Sequence, residues 1–229
     1  MTFDAFATET NTLWETLEEN PAEEVLRMLE SNPFEPLSRT YTDARYNFVP
    51  FDHKKVLLEL TKPLGDEGAV EVTVGSGETP VALECTISRT AFRNIVSIRT
   101  DSEDLQKIGD LEKVRKYLED WRFVLPAFSS SGALADHRDN DFWVDVAQTA
   151  PLPDCFGSQL SWYNVISPLG YKDYFTREDL LATPALKVEE LSDGTITILS
   201  YEHPLDFATE ENTKRIIEIT NYLNQVRLD

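Results

Sequence analysis

Lys187-Val188-Glu189-Glu190-Leu191-Ser192-Asp193-Gly194-Thr195-Ile196-Thr197-Ile198-Leu199 is the stretch from which the fold is read. Asp193-Gly194 between two alternating segments signals a β-hairpin, because a tight turn needs backbone that Asp and Gly adopt readily. Ile196 and Ile198 point one way and Thr195 and Thr197 the other, so one face of the second strand should be buried. Residues 210–227 follow, with Ile216, Ile217, Ile219, Thr220, Leu223 and Val226 at helical spacing. Such a stripe needs an apolar surface to lie on, and the hairpin offers one. Upstream, Ser161-Trp162-Tyr163-Asn164-Val165-Ile166 crowds aromatic and β-branched residues and reads as another strand. Residues 162–229 therefore read as a compact α+β unit whose product is a surface.

Working outward, Val70, Val72 and Val74 alternate, Gly75-Ser76-Gly77 reads as a turn, and Val81, Leu83, Cys85 and Ile87 alternate again. Ile95, Val96 and Ile98 suggest a third strand. Leu105, Ile108, Leu111, Val114, Tyr117, Leu118 and Trp121 form one stripe, predicting a helix over 105–121, with Glu112 and Lys116 spaced for a surface pair. At the N-terminus, Leu13, Trp14, Leu17, Val25, Leu26 and Leu29 predict a helix from 11 to 30. Asn20-Pro21 splits it, so that a second helix starts at Ala22. Residues 41–60 do not separate strand from helix. Residues 32–36, 62–68 and 128–132 read as breaks, residues 140–145 have no clear assignment, and 149–154 reads as a linker. The expectation is an α+β fold of mainly antiparallel sheet or sheets with helices packed on one face. It forms a single domain over 1–229 with possible halves at 1–148 and 155–229, and no sequence repeat supports duplication.

The chain has 229 residues, 41 acidic against 21 basic, for a formal net charge of −20. At 41% hydrophobic it can build a core. The charge argues against binding a phosphate backbone, which needs Lys and Arg. It suits a basic partner, or one whose site expects a nucleic acid, although acidity also serves solubility alone. Cys85 and Cys155 lack metal-like spacing and fit buried thiols in a reducing compartment. The first residues show no basic, apolar leader pattern, and no apolar run reaches membrane-spanning length. The expectation is a cytoplasmic chain with no membrane or nucleic-acid partner.

Asp136-His137-Arg138-Asp139-Asn140-Asp141 is rich in oxygen ligands but lacks the central glycine and closing glutamate of a calcium loop, so a solvated acidic loop is expected. His53, His137 and His203 are scattered and match no catalytic motif. Gly75-Ser76-Gly77-Glu78-Thr79 lacks the lysine of a phosphate loop, and Ser129-Ser130-Ser131-Gly132 is no nucleophile elbow. No catalytic residue, cofactor or metal is expected. Trp162 and Asn164 share a strand face; a core tryptophan beside an asparagine that satisfies backbone is favoured over a partner anchor. Candidate partner contacts are the acids Glu15, Glu18, Glu19 and Glu23 on the first helical region and Asp136, Asp139, Asp141 and Asp145 on the loop.

Several short motifs of the tail resemble a known family. These are Trp162-Tyr163-Asn164-Val165, Leu180-Leu181-Ala182-Thr183-Pro184-Ala185, Val188-Glu189-Glu190-Leu191-Ser192-Asp193-Gly194, the Thr195-Ile196-Thr197-Ile198 strand and the final helix. Together they resemble the immunity protein 52 type of bacterial immunity protein and related immunity proteins of type VI secretion systems. The resemblance covers about the last 70 residues. It implies a single-domain α+β protein that binds and neutralises a cognate toxin effector and has no enzymatic activity. A toxin met in the cytosol suggests a nuclease, whose basic site an acidic protein can occupy. The other readings are an enzyme whose site converges only in the fold, and an acidic scaffold or regulator with no toxin partner.

Overall fold

A computed structural model describes residues 4–13, 22–34, 36–41, 48–62, 69–76, 83–90, 93–101, 110–124, 129–136, 152–156, 160–206 and 209–228. Strands 4–13, 83–90, 93–101 and 129–136 are described by their backbone alone. The strands are β1 (Asp4–Leu13), β2 (Arg39–Tyr41), β3 (Phe48–Pro50), β4 (Ala69–Ser76), β5 (Leu83–Thr90), β6 (Arg93–Asp101), β7 (Ser129–Asp136), β8 (Tyr163–Ile166), β9 (Lys187–Glu190) and β10 (Ile196–Leu199). The helices are α1 (Ala22–Glu30), α2 (His53–Leu60), α3 (Leu111–Val124), α4 (Pro168–Tyr171), α5 (Arg177–Leu181) and α6 (Glu210–Val226), with 3-10 turns at Asp154–Phe156 and Pro204–Asp206. The fold is α+β.

All ten strands join one sheet, in the order β3-β2-β4-β5-β6-β1-β7-β8-β10-β9. Every pairing is antiparallel. The N-terminal strand β1 lies inside the sheet, between β6 and β7. The helix expected from residue 11 therefore does not begin there, since Asn11 to Leu13 are the end of β1. The expected second helix does form, as α1.

Register explains which face each helix covers. Directly opposed residues share a face. Val74, Cys85, Ile98, Thr8, Gly132, Tyr163 and Leu199 form one continuous cross-strand row. Val74 thus faces the same side as Tyr163 and Leu199. On that side α1, α2 and one stripe of α3 enclose Val72 and Val74, with Leu26, Leu29, Val56, Leu60, Tyr117 and Trp121 all buried. The neighbouring stripe of α3 places Val114 and Leu118 in a second cluster around β8 and β10. The opposite face at that end carries Ile166, Ile196 and Ile198, each with no exposed surface. They share the second cluster with Leu180 of α5 and Ile216, Ile219 and Leu223 of α6. The helix layer on one face is thus joined by a second layer over the C-terminal strands. Thr195 and Thr197 are buried too, each 2% exposed, so both faces of β10 are covered rather than the one expected from alternation.

Three expected breaks belong to regular or packed structure. Gly75 and Ser76 remain in β4, opposite Glu84 and Leu83. Ser129 to Gly132 are paired residues of β7, joining β1 to β8. Register sets Ser130 and Gly132 in the rows of Val165 and Tyr163, on the side α3 covers. The described part of the expected linker is core, with Leu152, Pro153, Cys155 and Phe156 buried. Residues 63–68 and 140–145 lie outside the described residues.

The β9–β10 hairpin forms across Asp193-Gly194, with Ser192, Asp193 and Gly194 as the loop between the bonded Leu191 and Thr195. Gly194 sits at φ 82, a left-handed conformation, and a Cβ there would stand 3.3 Å from Pro168 Cγ. Ile196→Asp is expected to lower stability by about 3–5 kcal/mol, because it leaves an unpaired charge in the core. Gly194→Ala should cost about 1–2 kcal/mol from its backbone alone. Urea unfolding of both variants tests this, and a wild-type midpoint for Ile196→Asp would mean that its face is open to water.

Candidate partner-binding surface

Glu23 is the one candidate acid whose side chain is described. It stands in the first turn of α1, where carboxylates complement the exposed amides of a helix start. Opposite, α2 is capped by Asp52, whose carboxylate accepts the Lys55 amide at 3.2 Å. His53 is the first residue of α2 and faces α1. The imidazole Nδ1 lies 2.9 Å from Glu30 Oε1, and Nε2 lies 3.2 Å from Glu23 Oε2. Arg27 Nε and Nη2 donate to Glu23 Oε1 at 3.1 and 2.9 Å. The hydrogen bond and charge of Glu30, then those of Glu23, hold the His53 pKa above its ordinary 6.5. His53 and then Arg27 hold the Glu23 carboxyl below 4.5. Both carboxylate oxygens of Glu23 are therefore engaged within the chain, in a clasp between α1 and α2.

Glu15, Glu18, Glu19, Asp139, Asp141 and Asp145 lie outside the described residues. Asp136 is the last residue of β7, opposite Asp4. Asp101, the last residue of β6, lies opposite Ala5, so the backbone sets three aspartates at one end of three adjacent strands. Glu23 and Asp136 belong to different layers, one to the helices and one to the sheet end. Trp162 is fully buried, and its ring N–H donates to the Glu202 carbonyl at 3.3 Å. The Asn164 side chain accepts the Ser161 amide at 3.1 Å and donates to the Ser161 carbonyl at 2.9 Å. Both residues have the expected core role.

The tertiary structure adds a surface that the sequence did not indicate, built on α3. Glu112 pairs with Arg115 and Lys116 with Asp120, rather than Glu112 with Lys116. Tyr163 reaches α3 from β8, its hydroxyl 2.7 Å from Glu119 Oε1, and burial raises the phenol pKa. Arg122 pairs with Asp193 at 3.0 Å and lies 4.1 Å over the ring of Phe123, which is 70% exposed. Burial raises the Asp193 carboxyl, but Thr195 and Arg122 outweigh it and the net shift is down. On the other flank, an open groove of about 520 Å³ separates α3 from the end of α1. No local signal marks this groove, because it joins residues 28–33 to 110–120 across the helix layer. Among the described residues, no His, Cys, Asp and Glu side chains group to hold a metal ion.

No family model matches the chain, and no curated protein matches it. Solved structures do. The chain shares its fold with a Pseudomonas aeruginosa T6SS protein. The two align with a TM-score of 0.60 over 99% of this chain and 75% of the other, at 10% sequence identity. A toxic C-terminal tip of CdiA from Pseudomonas aeruginosa, in complex with immune protein, gives a TM-score of 0.36 over 57% of this chain and 86% of the other, at 11% identity. That second value is too low to bear on the fold. Among the described residues, no helix is long and apolar enough to cross a membrane.

The α1–α2 clasp should make stability depend on pH. A raised His53 pKa contributes stability fully present below 6.5 and lost as pH rises through the folded value. A lowered Glu23 pKa contributes stability present above 4.5 and lost as pH falls through its folded value. Thermal unfolding of wild type and His53→Ala should differ most between those limits and converge at alkaline pH. A constant difference across the range would show that the imidazole carries no charge in the clasp.

Proposed function

We propose that this chain is an immunity protein, which binds a cognate toxin stoichiometrically at or near its active site and turns over no substrate itself. The observation that carries the reading is a fold shared over 99% of the chain with a T6SS protein. The tail motifs that resemble type VI immunity proteins support it independently, since they were read from residues alone. The finer reading is a toxin that acts in the cytosol as a nuclease. The net charge of −20 supports this, because nucleic-acid sites are basic and an acidic protein complements them. In this reading Asp136, Asp139 and Asp141 steer the encounter from the sheet end and the segment after it.

Co-expression with the toxin-like reading frame adjacent to the gene should rescue growth. Association should slow as salt rises, while a tight complex stays bound. Joint charge reversal of Asp136, Asp139 and Asp141 should lower the association rate, and reversal of Glu67 should not. Neither rescue nor binding would sink the immunity reading, whereas rescue with salt-independent association would remove only the electrostatic steering. The purified chain should show no hydrolase or transferase activity in a broad substrate screen. Turnover abolished by substituting His53, His137 or His203 would instead establish an enzyme.

A further inference from the structure

Strand β9 ends the sheet, and among the described residues no strand pairs with its outer edge. Directly opposed residues of an antiparallel pair alternate between those that exchange both backbone bonds and those that exchange none. The Leu191 amide donates to the Thr195 carbonyl at 2.8 Å, so Glu189 and Lys187 are the bonded residues opposite Thr197 and Leu199. The far side of β10 agrees: the Ser200 amide donates to the Trp162 carbonyl at 2.9 Å, and the bonds toward β8 fall on Ile196 and Ile198. Val188 and Glu190 therefore turn their N–H and C=O groups outward. The other end of the sheet is built differently. The Phe51 amide donates to the Ser38 carbonyl at 3.0 Å, which makes Val49 the bonded residue opposite Thr40 and turns Pro50 outward. A proline there offers no donor and blunts that edge. Strand β9 keeps both of its outward donors.

Lys187, Glu189 and Glu190 are exposed and Val188 is half-buried. Charges on an edge strand ordinarily discourage pairing, but those of β9 are self-complementary in one register. When a second copy runs antiparallel with Val188 opposite Val188, the outward groups of the two valines exchange both bonds. Lys187 of each copy then stands opposite Glu189 of the other, in the closer, non-bonded kind of pair. Within one chain Lys187 and Glu189 already meet at 2.5 Å, their side chains 57% and 52% exposed. That contact need not break, because two copies set the lysines and glutamates in alternation, each lysine between two carboxylates. Glu190 falls opposite Leu186, and Arg177 Nε and Nη2 hold its two oxygens at 2.6 and 2.5 Å. Leu186, itself 42% exposed, stands two residues from Val188 and so adds to the apolar centre of the pairing. Moving the centre to Glu190 would instead set like charges opposite each other. At physiological salt, charge is screened beyond about 8 Å, so contacts at the edge outweigh repulsion between whole molecules. We propose that β9 is a self-association edge, at which two copies of this chain pair about Val188 and continue one sheet into the other.

Sedimentation equilibrium of the full chain at physiological salt, over a concentration series reaching the millimolar range, should show the mass rising toward that of a dimer. Lys187→Glu and Glu189→Lys each set like charges opposite each other on both sides of Val188. Each should raise the dissociation constant of the dimer by about tenfold or more. Glu189→Lys also lowers the net negative charge, so general repulsion would predict the opposite result for it. An equal mixture of the two variants restores opposite charges across the edge and should associate as wild type does. Both positions are exposed, and unfolding curves establish that each variant folds. Val188→Pro removes an outward donor where an edge strand tolerates proline, and should leave the chain monomeric. A wild-type monomer at every concentration, wild-type association of either charge variant, or a mixture no stronger than its components would overturn the proposal. So would a folded Val188→Pro chain that dimerises as wild type does. If the wild-type chain stays monomeric while these variants lose binding to an inactive form of the toxin encoded beside it, the edge receives a strand of that protein instead, and self-association is equally overturned.

Discussion

The pairing of β1 on both of its edges is the constraint from which the rest of the molecule follows. Ala5 to Leu13 bond to β6, and Asp4 to Asn11 bond to β7. One strand from the start of the chain thus joins the β4–β5–β6 meander to the C-terminal strands. Without it the sheet would divide and expose two inner edges, each a row of unpaired amides and carbonyls. The pairing is also highly non-local, because residues near position 5 wait for residues near 101 and 135. Loop-closure entropy is spent before such contacts give anything back, so this joint belongs to late and slow steps of folding.

Helix α3 makes the corresponding joint in the helix layer. Its first turns supply Val114 and Leu118 to the core around β8 and β10, and Trp121 from its last turn belongs to the core over β4. Tyr117 touches both the α1 backbone and Trp121, while Arg122 reaches the hairpin tip. The outer side of such a helix is held from several directions. Rigid placement lowers the ordering entropy that any contact with this side of the helix has to overcome.

Charge is arranged unevenly on this acidic chain. Glu23, which the sequence offers as a partner contact, is consumed by Arg27 and His53. Among the described residues, the acids around the α3 groove pair with Lys113, Arg115 and Lys116 of the same helix. The availability of a carboxylate therefore depends on its neighbours rather than on the local density of acidic residues.

Residue pattern alone determined the α+β class, β4 to β6, the β9–β10 hairpin, α6 and the core role of Trp162 and Asn164. Each carries its own signature: period-2 alternation, an Asp-Gly turn, a helical apolar stripe, or an aromatic too large to leave exposed. The sequence did not reveal β1 and β7, because strands of Ala, Thr, Ser and Gly are specified by hydrogen bonds to neighbours rather than by their own hydrophobic pattern. It set Thr195 and Thr197 opposite the buried isoleucines, and only the tertiary structure buries them as well. It offered Glu23 as a contact without showing His53, thirty residues on, which engages it. The groove was equally hidden, since its two walls come from residues 28–33 and 110–120. Local sequence specifies what a segment can become, whereas the surface it presents is decided by which distant segments bury its other sides.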